Sequence, residues 1–232
     1  MAATRRRANA VTEEAIQKRR VEILRHAANV IVTSGVAGCS LAATSESTGF
    51  SIGMIQHYFR TRDRLIDACI EQRMVDAEAE WRAVWHRVSA PLERLRALLD
   101  FAIQGDDFVY AWRFWLELQA AASRDDALRF RVNNGFVIWH RMFHDAVTDV
   151  VAAGLATPVR PVGEFVNMLL GLCDGLATQS INGTYGMTPQ HMYQIVYMFA
   201  ARELGIGADV LALPTRQVVG SDDMASVGGR LQ

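Results

Sequence analysis

Apolar residues recur along this chain at intervals of three and four, and no stretch alternates apolar with polar long enough to make a strand. Leu24, Ala27, Ala28 and Ile31 follow the i, i+3, i+4, i+7 series. They make one apolar stripe on a helix expected to begin near Thr12 and end near Gly35. Glu13 and Glu14 fall in its first turn, where the helix dipole favours acids. Two short helices come next. Ser40 can cap the first with its hydroxyl, Gly49 allows the sharp turn, and Ser51 can cap the second. A long helix from about Thr61 to His86 carries Leu65, Cys69, Ile70, Trp81 and Trp85. It stops at Ser89-Ala90-Pro91, since proline disfavours helical geometry in the residue before it. Further helices are expected at roughly 91–104, 107–122, 125–153, 161–184 and 188–204, with Pro189 at a first helical position. The expectation is an all-α fold of about nine helices without an internal repeat.

Two helices joined by a short glycine-containing turn, as at 40–59, form a helix-turn-helix, whose second helix enters the DNA major groove. Charge placement agrees. The net charge over 232 residues is only −1, yet residues 1–65 hold ten basic and five acidic side chains, leaving −6 for the remainder. A basic head on an acidic body is expected when one end meets phosphates. The predicted organisation is a three-helix DNA-binding domain at 1–65 with a basic arm at 1–11, a helical domain at 66–206, and an irregular tail at 207–232.

Other chemistries find little support. Cys39, Cys69 and Cys173 are odd in number and far apart, with no CxxC pair for a disulfide framework or zinc site. The N-terminus lacks the apolar stretch of a secretion signal, and no apolar run approaches the ~18 residues needed to span a membrane. A cytoplasmic protein without cofactor is the expectation. His140-x-x-x-His144 sets two imidazoles on one helix face, but Arg141 stands where a zinc protease motif needs Glu. No phosphate loop, nucleophile elbow or acid pair is present, so no enzyme is expected.

Contacts to DNA divide into positioning and reading. Arg62 and the Tyr58 hydroxyl are candidates for phosphates, and the helix N-termini at Ser40 and Ser51 offer backbone N–H groups. Gln56 and His57 are candidates for base edges, with Ile52 and Met54 available for thymine methyls. Ile55, Phe59 and Leu65 read as core. One helix-turn-helix makes few base contacts, so a symmetric dimer on a palindromic operator is expected. Arg5-Arg6-Arg7 could enter a neighbouring minor groove or remain a solvated arm.

The segment Arg20–Leu65 resembles the DNA-binding domain of the tetracycline-repressor (TetR) family. The resemblance rests on Ile23-Leu24-x-x-Ala27-Ala28, Gly35, the helix-turn-helix with Gly49, and Tyr58-Phe59-Arg60-Thr61-Arg62-Asp63-Arg64-Leu65. Trp115–Ala122 and Leu172–Gln179 are similar to segments of the family's betaine-regulator-like branch. Thr44, Ser45 and Thr48 depart toward polarity, though their hydroxyls can bond back to the preceding helical turn.

The resemblance implies a small-molecule effector, release from DNA when it binds, and a four-helix dimer interface. All five tryptophans lie beyond residue 66. Phe108, Trp112, Trp115 and Gln119 share part of one helix face, three aromatics and an amide that suit a pocket wall, with Asp174 a further candidate. Aromatic cages also suit quaternary ammonium ligands. For the dimer face, Gly171 and Gly175 permit close helix approach, Gln179 needs a partner if buried, and Met192, Ile195, Val196 and Phe199 form a seam. The competing reading is a helical small-molecule binder whose helix-turn-helix is degenerate and has no specific operator.

Overall fold

The computed structural model describes residues 2–103 and 108–211, with side chains from residue 13 onward. The described residues form ten α-helices and a short 3-10 turn, with no strand among them. In order these are α1 (Ala2–Gly38), α2 (Leu41–Thr48), α3 (Ile52–Phe59), α4 (Arg62–Arg87), α5 (Pro91–Ile103) and α6 (Phe108–Ala122). Then follow α7 (Asp126–Ala152), α8 (Val162–Asn182), the turn Thr184–Gly186, α9 (Pro189–Leu204) and α10 (Ala208–Leu211).

The all-α expectation holds, and most predicted limits fall within two residues. Three differences have physical causes. The arm expected at 1–11 is helical from Ala2 as part of α1; the side chains of Arg5, Arg6 and Arg7 lie outside the described residues. Gly35 interrupts α1 with φ 71° and ψ 171° but does not end it, because one further turn continues to Gly38. The tail is not irregular from 207. α10 is the tenth helix, held because the buried Arg96 guanidinium donates to the Leu211 carbonyl at 3.0 Å and to the Val210 carbonyl. The rest of the predicted tail, 212–232, lies outside the described residues.

The helix-turn-helix is closed by its own polar groups. Ser40 Oγ accepts from the Ala43 N–H at 3.0 Å, and Ser51 Oγ accepts from the Met54 N–H at 3.3 Å. Gly49 takes φ 73°, the left-handed conformation expected of it, and donates its N–H to the Ser45 carbonyl. The three departures toward polarity fit without orphaned hydroxyls. Buried Thr44 donates to the Ser40 carbonyl at 2.8 Å, and Thr48 donates to the Thr44 carbonyl at 2.9 Å. Ser45 Oγ donates to the Phe50 carbonyl at 2.6 Å, tying the turn to α2.

Two hydrophobic cores result, and the first crosses the boundary expected after residue 65. The first joins Ile23, Leu24, Ala27 and Ile31 of α1 to Ile55, Phe59, Leu65 and Cys69. It also takes Phe114, Leu118 and Ala122 from α6, an i, i+4, i+8 stripe, with Leu128 and Val132 from α7. The second packs the far end of α4 with α5, the rest of α7, α8 and α9, around Phe143, Phe165 and Met192. α6 therefore belongs to both, since Phe108 at its start lies in the second core.

Replacing Ser40 by alanine removes the α2 cap, which costs about 1 kcal/mol in comparable helices. Thermal unfolding followed by circular dichroism should show the midpoint of Ser40→Ala lowered by roughly 2–4 °C; an unchanged midpoint would remove the cap from this account.

Candidate DNA interface and effector cavity

Recognition helix α3 divides cleanly into two faces. Ile55 and Phe59, four apart, are buried against α1 and α4, whereas Ile52, Gly53, Gln56 and His57 face solvent. Ile52 keeps 51% of its surface exposed, high for an isoleucine in a folded domain. Met54 and Tyr58 are half-buried at the margins, with the Tyr58 ring edge-on to His57 at 5.9 Å. The sequence candidates for base edges thus share one exposed face, and the Ser40 and Ser51 hydroxyls serve as caps.

Arg62 is placed differently from expectation. Its Nε donates to the Cys39 carbonyl at 2.7 Å and its Nη2 to the Val36 carbonyl at 2.5 Å. These are carbonyls at and just beyond the last turn of α1, where intrahelical partners run out. The guanidinium therefore staples the start of α4 to the α1–α2 junction. Arg60 and Arg64, passed over in the sequence, are the exposed cations beside α3. Arg60 closes α3 with a positive φ of 63°, its N–H bonded to the Gln56 carbonyl. Charge alone could have singled these two out.

Behind this domain lies a cavity of about 390 Å³ walled by α4, α5, α6, α7 and α8. Phe108, Trp112, Trp115 and Asp174 line it, as the sequence suggested. Gln119 does not; it lies one turn further along α6, its Nε2 buried without a hydrogen-bond partner of proper geometry. The wall includes four more rings the sequence reading left as core: Phe101, Phe136, Trp139 and Phe143. Phe101 stacks on Trp139 at 5.6 Å, Trp115 meets Phe136 at 5.9 Å, and Trp112 Nε1 donates to the Ala102 carbonyl at 3.0 Å. Arg73, Asp76 and Glu80 of α4 also line the cavity and were missed. The i, i+4, i+7 spacing of Arg73, Ala77 and Glu80 was the available signal.

Burial pushes the Asp174 carboxyl up to about 6, opposed by the Gln119 amide. Beside it, burial drives the Cys173 thiol up to about 12, and Cys39 rises to about 11 for the same reason. All three cysteines are free and buried, thus neutral thiols at physiological pH. His140 and His144 lie with ring centres 6.2 Å apart, and His144 Nδ1 is 3.8 Å from Asp145.

On the candidate dimer face, Gly171 and Gly175 are exposed, with open space where side chains would stand. Gln179 is half-buried. The proposed α9 seam needs correction: Met192 and Val196 are fully buried in the protomer's own core. With Ala200 they make the inward i, i+4, i+8 stripe, so they cannot meet a second copy. Ile195 and Phe199 are half-buried, Phe199 stacking on Phe165, and the exposed apolar residue of α9 is Met198 at 62%.

A helix-turn-helix with an outward face, backed by a helical body enclosing an aromatic cavity, is the architecture of a transcriptional regulator. Residues 91–205 match the family described as BetI-type transcriptional repressor, C-terminal. An uncharacterised HTH-type transcriptional regulator of Bacillus subtilis, YfiR, is 25% identical over 183 residues, covering 74% of this chain and 84% of that protein. The HTH-type transcriptional regulator BetI of Vibrio vulnificus is 26% identical over 151 residues, covering 60% of this chain and 75% of the relative. A transcriptional regulator from Saccharomonospora viridis, solved in complex with choline, shares the fold with a TM-score of 0.74 at 20% identity. That likeness covers 81% of this chain and 98% of the other. The chain belongs to the TetR family of transcriptional regulators, with a BetI-type C-terminal domain, and is not an enzyme. No described helix is long and apolar enough to cross a membrane.

The raised Asp174 carboxyl has a signed consequence. A folded-state pKa above the unfolded value means the folded protein holds the proton more tightly, so stability falls as pH rises from about 4 through about 6. Asp174→Asn should therefore stabilise the protein at pH 7.5 by something on the order of 1–2 kcal/mol, read as a raised melting temperature. It should give little gain at pH 4. Equal effects at both values would show that ionisation of Asp174 is not what costs stability.

Proposed function

We propose that the protein is a homodimeric repressor that holds a palindromic operator and is released when a small organic cation fills the cavity. The observation that carries the DNA half is the outward alignment of Ile52, Gln56 and His57 on a helix whose other side is locked into the core. Gln56 reads an adenine edge, Ile52 and Met54 serve thymine methyls, and Arg60, Arg64, Tyr58 and the capped helix ends hold phosphates. The exposed glycines of α8 and Met198 of α9 support pairing of two copies through these helices. Partnership with operator DNA implies a cytoplasmic protein.

Seven aromatic rings and three carboxylates around one cavity support a cationic effector, because ring faces and carboxylates both attract positive charge. The neighbour of the same fold that holds choline, a quaternary ammonium alcohol, is consistent with this class. Coupling runs through α4 and α6. α4 begins at the Arg62 staple and reaches the cavity at Arg73, while α6 lines the cavity and packs on α1. An effector shifts the DNA-bound form only by its preference between the two shapes.

Mobility shifts on the gene's own upstream region test this reading. The wild type should bind a palindrome with affinity falling steeply as salt rises. Gln56→Ala should lose discrimination at one base position per half-site, about 1–3 kcal/mol, with other positions unchanged. Binding that is weak and blind to sequence would instead support a helical small-molecule binder with a degenerate helix-turn-helix.

A further inference from the structure

A plain cation would not use everything the cavity offers, because one wall residue carries the opposite requirement. Arg73 lines the same space as Asp76, Glu80 and Asp174. Its guanidinium sits 5.9 Å from the ring centres of both Tyr110 and Phe114, and its Nε is buried with no hydrogen-bond partner among the described residues. None of the three cavity carboxylates forms an ion pair with it. Asp76 instead accepts from Gln72 Nε2 at 2.8 Å. An unsatisfied buried donor on an ionised group is costly, and guanidinium groups are matched best by carboxylate or phosphate oxygens.

We infer that the effector is bipolar: an organic ammonium ion whose other end is an anionic group, received by Arg73. This rests on the cationic reading of the cavity given above. Arg73 and Glu80 lie seven residues apart on one face of α4, about 10 Å along its axis. The α4 wall is thus positive toward the DNA-binding domain and negative toward the body. A zwitterion laid along it meets favourable charge at each end, whereas a cation of the same length meets Arg73 with a neutral or like-charged group. A cavity of about 390 Å³ has room for such a molecule, lying within the ~300–1,000 Å³ common for small-ligand sites. The arrangement selects against unipolar cations as well as for the zwitterion, since the same Arg73 charge repels one and binds the other.

Calorimetric titration of the full chain with two probes of equal length tests the inference: 4-(trimethylammonio)butanoate and 4-(trimethylammonio)butan-1-ol. The wild type should bind the carboxylate at least about tenfold more tightly, the scale of a charge-assisted hydrogen bond. Arg73→Met should abolish the preference while keeping or strengthening binding of the alcohol, and Arg73→Lys should retain part of it. Melting curves of each variant establish that the fold is intact. Equal binding of the two probes, or tighter binding of the alcohol, overturns the bipolar effector and leaves the cationic cavity standing. Binding of neither probe overturns both.

Discussion

Everything in this molecule turns on one helix having to satisfy two cores at once. Phe114, Leu118 and Ala122 of α6 are buried with α1, α3 and the start of α4, so the DNA-binding domain is incomplete without them. On its other side, Phe108, Trp112 and Trp115 form the wall of the cavity. Close-packed interiors do not deform continuously, so on the proposed reading a shift of α6 that accommodates a ligand is answered by α1. The point of answer is visible at Gly35, where α1 breaks and a side chain would stand only 3.1 Å from Glu117 Oε2 of α6. Only a residue without Cβ permits that approach together with a φ of 71°.

The polar interior serves the same arrangement. Arg62 fixes where α4 leaves the helix-turn-helix by tying its start to the α1–α2 junction. At the opposite end, Arg96 holds α10 and Glu93, while the Tyr197 hydroxyl donates to Asp100 at 2.6 Å, fastening α9 to α5. The body is therefore anchored at the end away from the helix-turn-helix. Between these two anchors, beside the cavity, the Gln119 Nε2 is buried without a well-formed hydrogen bond and burial pushes the Asp174 carboxyl up to about 6.

Much of the DNA-binding end could be read from residue order, because its determinants are local. Ser40, Gly49 and Ser51 announce caps and turn through chemistry that depends on neighbours a few positions away. The 3.6-residue period separated Ile55 and Phe59 from Gln56 and His57 on the same grounds. What escaped depends on tertiary placement. Arg62 looked like a phosphate ligand because no local pattern shows that carbonyls 23 and 26 residues earlier will lie beside it. Met192 and Val196 carried the correct period but the wrong direction, since periodicity names a stripe and not what covers it. The cavity was half legible: α6 displayed its aromatic face, yet Arg73, Glu80 and Trp139 reach it from helices that read as ordinary core or solvated surface.

On the proposed reading of a ligand-released dimer, the two-core geometry ties the separation of the recognition helices to cavity occupancy, and that separation must match one turn of duplex, about 34–36 Å. A spin label attached through Glu46→Cys on the exposed side of α2 reports it directly, the native thiols being buried and unreactive. Pulsed dipolar spectroscopy on the dimer, without ligand and at calorimetrically verified saturation, should show the label-to-label distance moving by several ångströms as the cavity fills. An identical distance distribution in both states would contradict the account.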